Sequence, residues 1–155
     1  MKAAPKKAAP FTLAHFTLWS SALVLDTGGR WQLEDFQARF VEDLFLGLPE
    51  NWFILPEGNG KTTLIAGVVL YHLEHKPAAW VPWAAASREQ AEIGYQQAKG
   101  FVVRSPSLKK RFRCYDGYRR IVFTAVDGDE EDELAPKMQI FAADQKTGDG
   151  VIPTL

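Results

Sequence analysis

The sequence predicts an α/β fold, a three-layer core whose central strands are mainly parallel and which carries one β-hairpin. Three observations lead there. Residues 51–75 read as strand, glycine loop and helix in immediate succession, and residues 78–103 repeat the order strand then helix. Two short apolar runs flank Asp116-Gly117, a pair suited to a tight hairpin turn. Strands that alternate with helices are joined by crossovers, which set them parallel and leave helices on the faces of the sheet.

Each element has its own grounds. Met1 to Pro10 is basic and acid-free and reads as a flexible tail. Residues 1–30 together form this tail and a lead-in to a domain spanning 31–155. From Leu33 to Leu48 the apolar residues Leu33, Phe36, Phe40, Val41, Leu44, Phe45 and Leu48 recur at helical spacing, and Gly47 and Pro49 close the segment. Asn51-Trp52-Phe53-Ile54-Leu55 has the length and composition of a buried strand and ends in Pro56-Glu57-Gly58-Asn59-Gly60, which stops pairing. Lys61 to His75 places Leu64, Ile65, Val68, Val69 and His72 on one helical face until Lys76-Pro77 ends it. Ala78 to Ala84 reads as a second strand in spite of Pro82. Ser87-Arg88-Glu89-Gln90 fits a capping box that opens a helix to about Val103. Phe112–Tyr115 and Tyr118–Thr124 form the hairpin, with a two-residue type I′ turn expected at Asp116-Gly117. Six of the seven residues Asp127–Glu133 are acidic, a solvated loop, and Met138–Ala142 is a further strand.

Composition narrows the function classes. With 155 residues, 46% of them hydrophobic and 24% charged, the chain has enough apolar material for one sizeable core and does not resemble a disordered or low-complexity chain. Eighteen basic residues stand against 19 acidic ones, which excludes a uniformly basic protein that coats nucleic acid by charge alone. A single cysteine, Cys114, forms no internal disulfide, and His15, His72 and His75 give no zinc-ligand spacing. This cysteine usage reads as cytosolic, and no apolar run has the length of a membrane helix.

Gly58-Asn59-Gly60-Lys61-Thr62-Thr63 is the segment with specific chemistry. Triphosphate binding needs backbone N–H groups that converge on anionic oxygens, and glycines let a loop wrap that closely. The helix starting near Gly60 directs its positive end to the same spot. Lys61 would reach the β/γ-phosphates and the Thr62 hydroxyl would ligate Mg²⁺. The full G-x-x-x-x-G-K-[ST] pattern asks for glycine at position 55, where Leu55 stands, and Glu57 would place a carboxylate beside the phosphates. An ordinary helix start after a turn also accounts for a bare Gly-Lys-Thr.

With these parts in order, the chain resembles the large terminase subunit of tailed bacteriophages, the ATP-driven motor that packages DNA into procapsids. Leu55–Thr63 looks like that family's version of the phosphate loop, whose first glycine is freely replaced. Leu33-Glu34-Asp35-Phe36-Gln37 resembles the adenine-contacting segment, with Gln37 reading the base edge. Ala84–Ala91 is similar to the strand-to-helix segment that follows. Asp149–Leu155 looks like the approach to the Walker B strand, so the chain resembles an incomplete P-loop NTPase core, cut before Walker B. The resemblance implies ATP held by Phe36, Gln37, Glu57, Gly58, Asn59, Gly60, Lys61, Thr62 and Thr63, with Lys61 as the catalytic cation and Thr62 as the Mg²⁺ ligand. It also implies double-stranded DNA, a small terminase subunit and a portal protein as partners, a homo-oligomer, and a host cytoplasm with no membrane. Without the Walker B carboxylate the expectation is weak Mg-nucleotide binding and negligible turnover. An incomplete core further implies exposed apolar surface and self-association.

Other features admit two readings. Lys109, Lys110, Arg111 and Arg113, among Phe112, Tyr115 and Tyr118, suit nucleic-acid backbone contact, or are simply the solvent face of a hairpin. Trp80 and Trp83 either pack or form a stacking surface, and Cys114 reads as a small apolar packer. Asp144 and Asp149 approach the nucleotide or serve turns. A non-enzymatic nucleic-acid-binding module with a structural loop, or another P-loop translocase or kinase, remain as alternatives.

Overall fold

The computed structural model describes residues 9–124 and 134–142. Along the chain these residues form α1 (Leu13–Ser20), α2 (Asp35–Leu44), α3 (Lys61–His75), β1 (Trp80–Ala85), α4 (Arg88–Arg104), α5 (Pro106–Lys109), β2 (Phe112–Tyr115), β3 (Arg120–Phe123) and β4 (Lys137–Ala142). The readings of residues 1–8, Asp127–Glu133, Asp144 and 149–155 lie outside the described residues.

The helices begin and end for local reasons. Gly60 at φ +69° N-caps α3 and Lys76, before Pro77, ends it. The Ser87 side chain accepts the Gln90 N–H at 3.2 Å and opens α4. The Glu89 carboxylate accepts its own backbone N–H and, second, the Ser87 hydroxyl, which draw that carboxyl below its ordinary range. α2 is shorter than its apolar pattern, because Glu34 and Gln37 make a reciprocal capping box at its start and Phe45 caps its end.

The sheet has the order β1-β4-β3-β2. β1 and β4 run parallel, with Trp80 opposite Lys137 and Ala85 opposite Ala142. β4 with β3, and β3 with β2, run antiparallel. Among the described residues the sheet is therefore mostly antiparallel, which corrects the expectation of a mainly parallel one. The hairpin is no excursion: β3 bonds directly to β4, and the short connection between β2 and β3 permits only antiparallel pairing. The expected two-residue turn is also corrected. Tyr115 pairs with Arg120, so four residues turn the chain, and Arg119, at φ +50°, takes the left-handed conformation expected of Asp116-Gly117.

Residues 51–55 are not a buried strand. They alternate between half-buried and exposed, with Trp52 78% and Ile54 84% exposed, and Phe53 stacks on Phe40 with ring centroids 4.0 Å apart. The segment has the period of a strand, but no described strand hydrogen-bonds to it.

The core lies between α3, α4 and the sheet. α3 is buried along most of its length, well beyond a single face. A methyl group at Gly67 would meet the Trp31 ring at 2.3 Å, and one at Gly94 would meet Trp83 at 2.2 Å. The two glycines thus let Trp31 lie on α3 and Trp83 on α4. Burial is the role of Trp83, and Trp80 meets Phe141 edge-on at 6.0 Å. α1, which the sequence pattern does not announce, seats Phe16 fully buried against Tyr71 of α3. Cys114 packs on the same core, and burial pushes its thiol up to about 11, which makes it a poor nucleophile.

Candidate functional site

The site is built at the N-terminal end of α3. The first N–H groups of any helix have no intrahelical partner, and α3 begins without a side-chain cap. Gly58 at φ +83° and Gly60 at φ +69° turn the loop twice through the left-handed region. A side chain is strained in that conformation and glycine is not. A methyl group at Gly58 would meet nothing within 4 Å, so its backbone lies open to an incoming group. Asn59 Nδ2 donates to the Pro56 carbonyl at 3.2 Å and ties the loop across its base.

Lys61 is half-buried and turns back over this loop. Its ammonium donates to the Leu55 carbonyl and, at 3.0 Å, to the Pro56 carbonyl. Thr62 and Thr63 are half-buried in the first helical turn, whereas Glu57 is exposed. α2 reaches the loop from the side. Gln37 is only 6% exposed, its Oε1 accepts the Glu34 N–H at 3.1 Å, and its Nε2 would lie 3.5 Å from a methyl group at Gly60. Phe36, one residue earlier, is 38% exposed. The structure thus brings Gln37 and residues 57–63 together, although 23 residues separate Gln37 from Gly60 in sequence. Glu34-x-x-Gln37 carries the signal for the cap, a faint one because glutamate is an uncommon N-cap.

The donor set suits an anion: a cationic ammonium, backbone N–H groups at a helix start, and an open glycine backbone. It also fits a phosphate-bound Mg²⁺, which takes few protein ligands beyond a hydroxyl such as that of Thr62. Among the described residues no group of three His, Cys, Asp or Glu side chains is placed to hold a metal by itself.

The basic residues sit elsewhere. Arg111 pairs with Glu74, at the opposite end of α3, and its Nε donates to the Ser107 carbonyl at 2.8 Å. Thirteen residues separate Lys61 from Glu74, about 20 Å of helix at the usual rise. Lys109, Lys110 and Arg113 are exposed. Arg119 pairs with Glu92, and Lys99 binds Asp116 at 2.7 Å, so the hairpin tip is fastened to α4. The Lys99 and Tyr95 hydrogen bonds hold the Asp116 carboxyl below its ordinary range.

A mixed α/β domain in which a two-glycine loop opens the buried helix defines the class. No family model matches the chain, and no curated protein does. Among solved structures, the crystal structure of the HK97 bacteriophage large terminase is similar, with a TM-score of 0.73 and 23% sequence identity. The match covers 91% of this chain and 29% of that one, so the chain spans less than a third of that protein's length. The two share a fold, as the resemblance read from residues 33–37, 55–63 and 84–91 leads one to expect.

Proposed function

We propose that this chain is the ATP-binding segment of a phage large terminase, with the three-layer P-loop core of that family. The observation that carries the reading is the loop itself: Gly58 and Gly60 in left-handed conformation, Lys61 folded over the loop and Gln37 against Gly60, all at the start of α3. The fold shared with the HK97 large terminase supports it. In this reading the loop N–H groups and Lys61 take the phosphates of ATP, Thr62 shares their Mg²⁺, and Phe36 and Gln37 stand on the side of the loop where the base would come. Lys61 must leave its two carbonyl partners to reach a phosphate, exchanging neutral acceptors for an anion, which is the stronger bond. Mg²⁺ would neutralise phosphate charge when bound.

Titration calorimetry with Mg-ATP tests the reading. The chain is expected to bind, and Lys61→Ala to weaken binding at least about tenfold, about 1.4 kcal/mol. Equal affinity in both proteins would sink it. In the motor as a whole, double-stranded DNA, a small terminase subunit, a portal protein and further copies of the chain are the proposed partners, in the cytoplasm of an infected cell. Among the described residues no helix is long and apolar enough to cross a membrane.

A second reading, a nucleic-acid-binding module, is favoured by one observation. Lys109, Lys110 and Arg113 remain exposed together while Arg111 and Arg119 are engaged in ion pairs. If they touch DNA phosphates, neutralising all three flattens the dependence of log affinity on log salt by about 0.9 for every phosphate no longer neutralised. An unchanged slope removes this reading.

A further inference from the structure

One buried donor beside the glycine loop has no acceptor. Gln37, near the start of α2, is a polar side chain only 6% exposed, and the two halves of its amide face different ways. Its Oε1 accepts the Glu34 N–H at 3.1 Å, which is one bond of the capping box. The other bond is made by the Glu34 side chain, which accepts the Gln37 backbone N–H. Gln37 Nε2 lies on the loop side, where a methyl group at Gly60 would be 3.5 Å away. Among the described residues nothing accepts from this nitrogen, and it keeps a small opening to the outside. A largely buried N–H group left unpaired costs its desolvation, and a ligand atom that accepts from it recovers that cost.

The direction of the amide decides what Gln37 can recognise. A glutamine singles out adenine by pairing with it twice, its carbonyl accepting from the 6-amino group while its amide donates to N7. That pairing needs both amide atoms abreast of the base edge. Here the carbonyl is turned back onto α2 and holds the cap, which leaves the amide N–H groups alone to face a ligand. The Glu34 carboxylate is committed to the same cap. Adenine and guanine both offer N7 as an acceptor, and guanine has the acceptor O6 where adenine has its amino group. A group that only donates therefore finds an acceptor on either base. Phe36, 38% exposed, adds an aromatic surface, against which any base can stack.

We propose that the site takes purine nucleoside triphosphates without distinguishing adenine from guanine, because Gln37 meets them with its Nε2 donor alone. This rests on the nucleotide-binding reading given above and narrows it to a substrate class. The acceptor is a purine N7 or a phosphate oxygen, and either is common to ATP and GTP. The helix cap holds the amide in this direction. Turning it round to read adenine would take Oε1 off the Glu34 N–H and set the amide N–H groups against that donor. α2 would then lose one of the two bonds of its capping box. Discrimination for adenine is thus opposed by the same bond that starts the helix.

Titration calorimetry of the full chain with Mg-ATP and with Mg-GTP tests this. The two dissociation constants are expected to agree within about fivefold, and a preference for ATP above about fivefold overturns the proposal without any variant. Gln37→Ala is expected to weaken both nucleotides alike, by about fivefold, with their ratio unchanged. A Gln37→Ala protein that loses ATP and keeps GTP overturns the proposal, and so does one that binds both as tightly as the unmodified chain. Mg-ATP with N7 replaced by carbon locates the acceptor: weaker binding that Gln37→Ala abolishes as a difference puts it at N7, unchanged binding puts it on the phosphates, and both agree with the proposal. A chain that binds neither nucleotide sinks the ATP reading itself. One that binds ATP and refuses GTP sinks only the indifference to the base.

Discussion

The two ends of α3 are opposite solutions to one problem, the unpaired backbone groups of a helix terminus. At the C-terminal end the carbonyls are closed by one side chain and by the backbone: His75 Nδ1 donates to the Tyr71 carbonyl and the Lys76 backbone N–H bonds the His72 carbonyl at 2.9 Å, while the Glu74 side chain ties in Trp19 and Arg111. At the N-terminal end the cap residue is Gly60, which offers no side-chain cap, and the loop before it turns at two glycines in left-handed conformation. One end is satisfied from within and stabilises the fold. The other leaves its donors available, which is the condition for binding something from outside.

Substitutions at the closed end are expected to cost stability and to spare binding, and those at the open end the reverse. The largest loss belongs to Glu74→Ala, which strands the partly buried Arg111 cation and frees Trp19, at about 3 kcal/mol in chemical denaturation. Mg-nucleotide affinity, once the protein is folded, should not change. Midway along the helix, Gly67→Ala drives a methyl group into the Trp31 ring and is expected to cost about 2 kcal/mol; a smaller loss than about 0.5 kcal/mol would mean that Trp31 moves freely. Lys61→Ala is the inverse case. It should alter stability by less than about 0.5 kcal/mol while weakening nucleotide binding as given above, and a large stability loss would erase the contrast between the ends. Gln37→Ala removes one capping bond and is worth about 1 kcal/mol. Any accompanying fall in nucleotide affinity would show that Gln37 also faces the ligand.

What the sequence makes legible is local. α3 is readable because Gly60 and Lys76-Pro77 punctuate it, and the glycine loop because its spacing is a chemical pattern. Residues 51–55 show the limit. Their composition is that of a strand and their alternation is real, but a strand exists only by pairing, and pairing is a property of some other part of the chain. The hairpin is visible in its two apolar runs, yet its loop length follows from the Tyr115–Arg120 register, not from the Asp-Gly pair. Parallel order, inferred from alternation, fails where β3 turns back onto β4. In the site, Lys61, Thr62 and Thr63 are found by motif. The place of Gln37 beside Gly60, and the meeting of His15 with Tyr71 across 56 residues, come from tertiary packing that no local spacing encodes.

Trp52 gives the molecule a built-in optical probe. Of the five tryptophans it stands 78% exposed, while Trp31 is 3% exposed and Trp19, Trp80 and Trp83 are half-buried. The red edge of the emission therefore belongs to Trp52, which lies three residues before the carbonyl that Lys61 grips. A dissolved quencher such as iodide should dim it first, and a ligand that draws Lys61 away from Leu55 should change that quenching before it disturbs the indoles of the core.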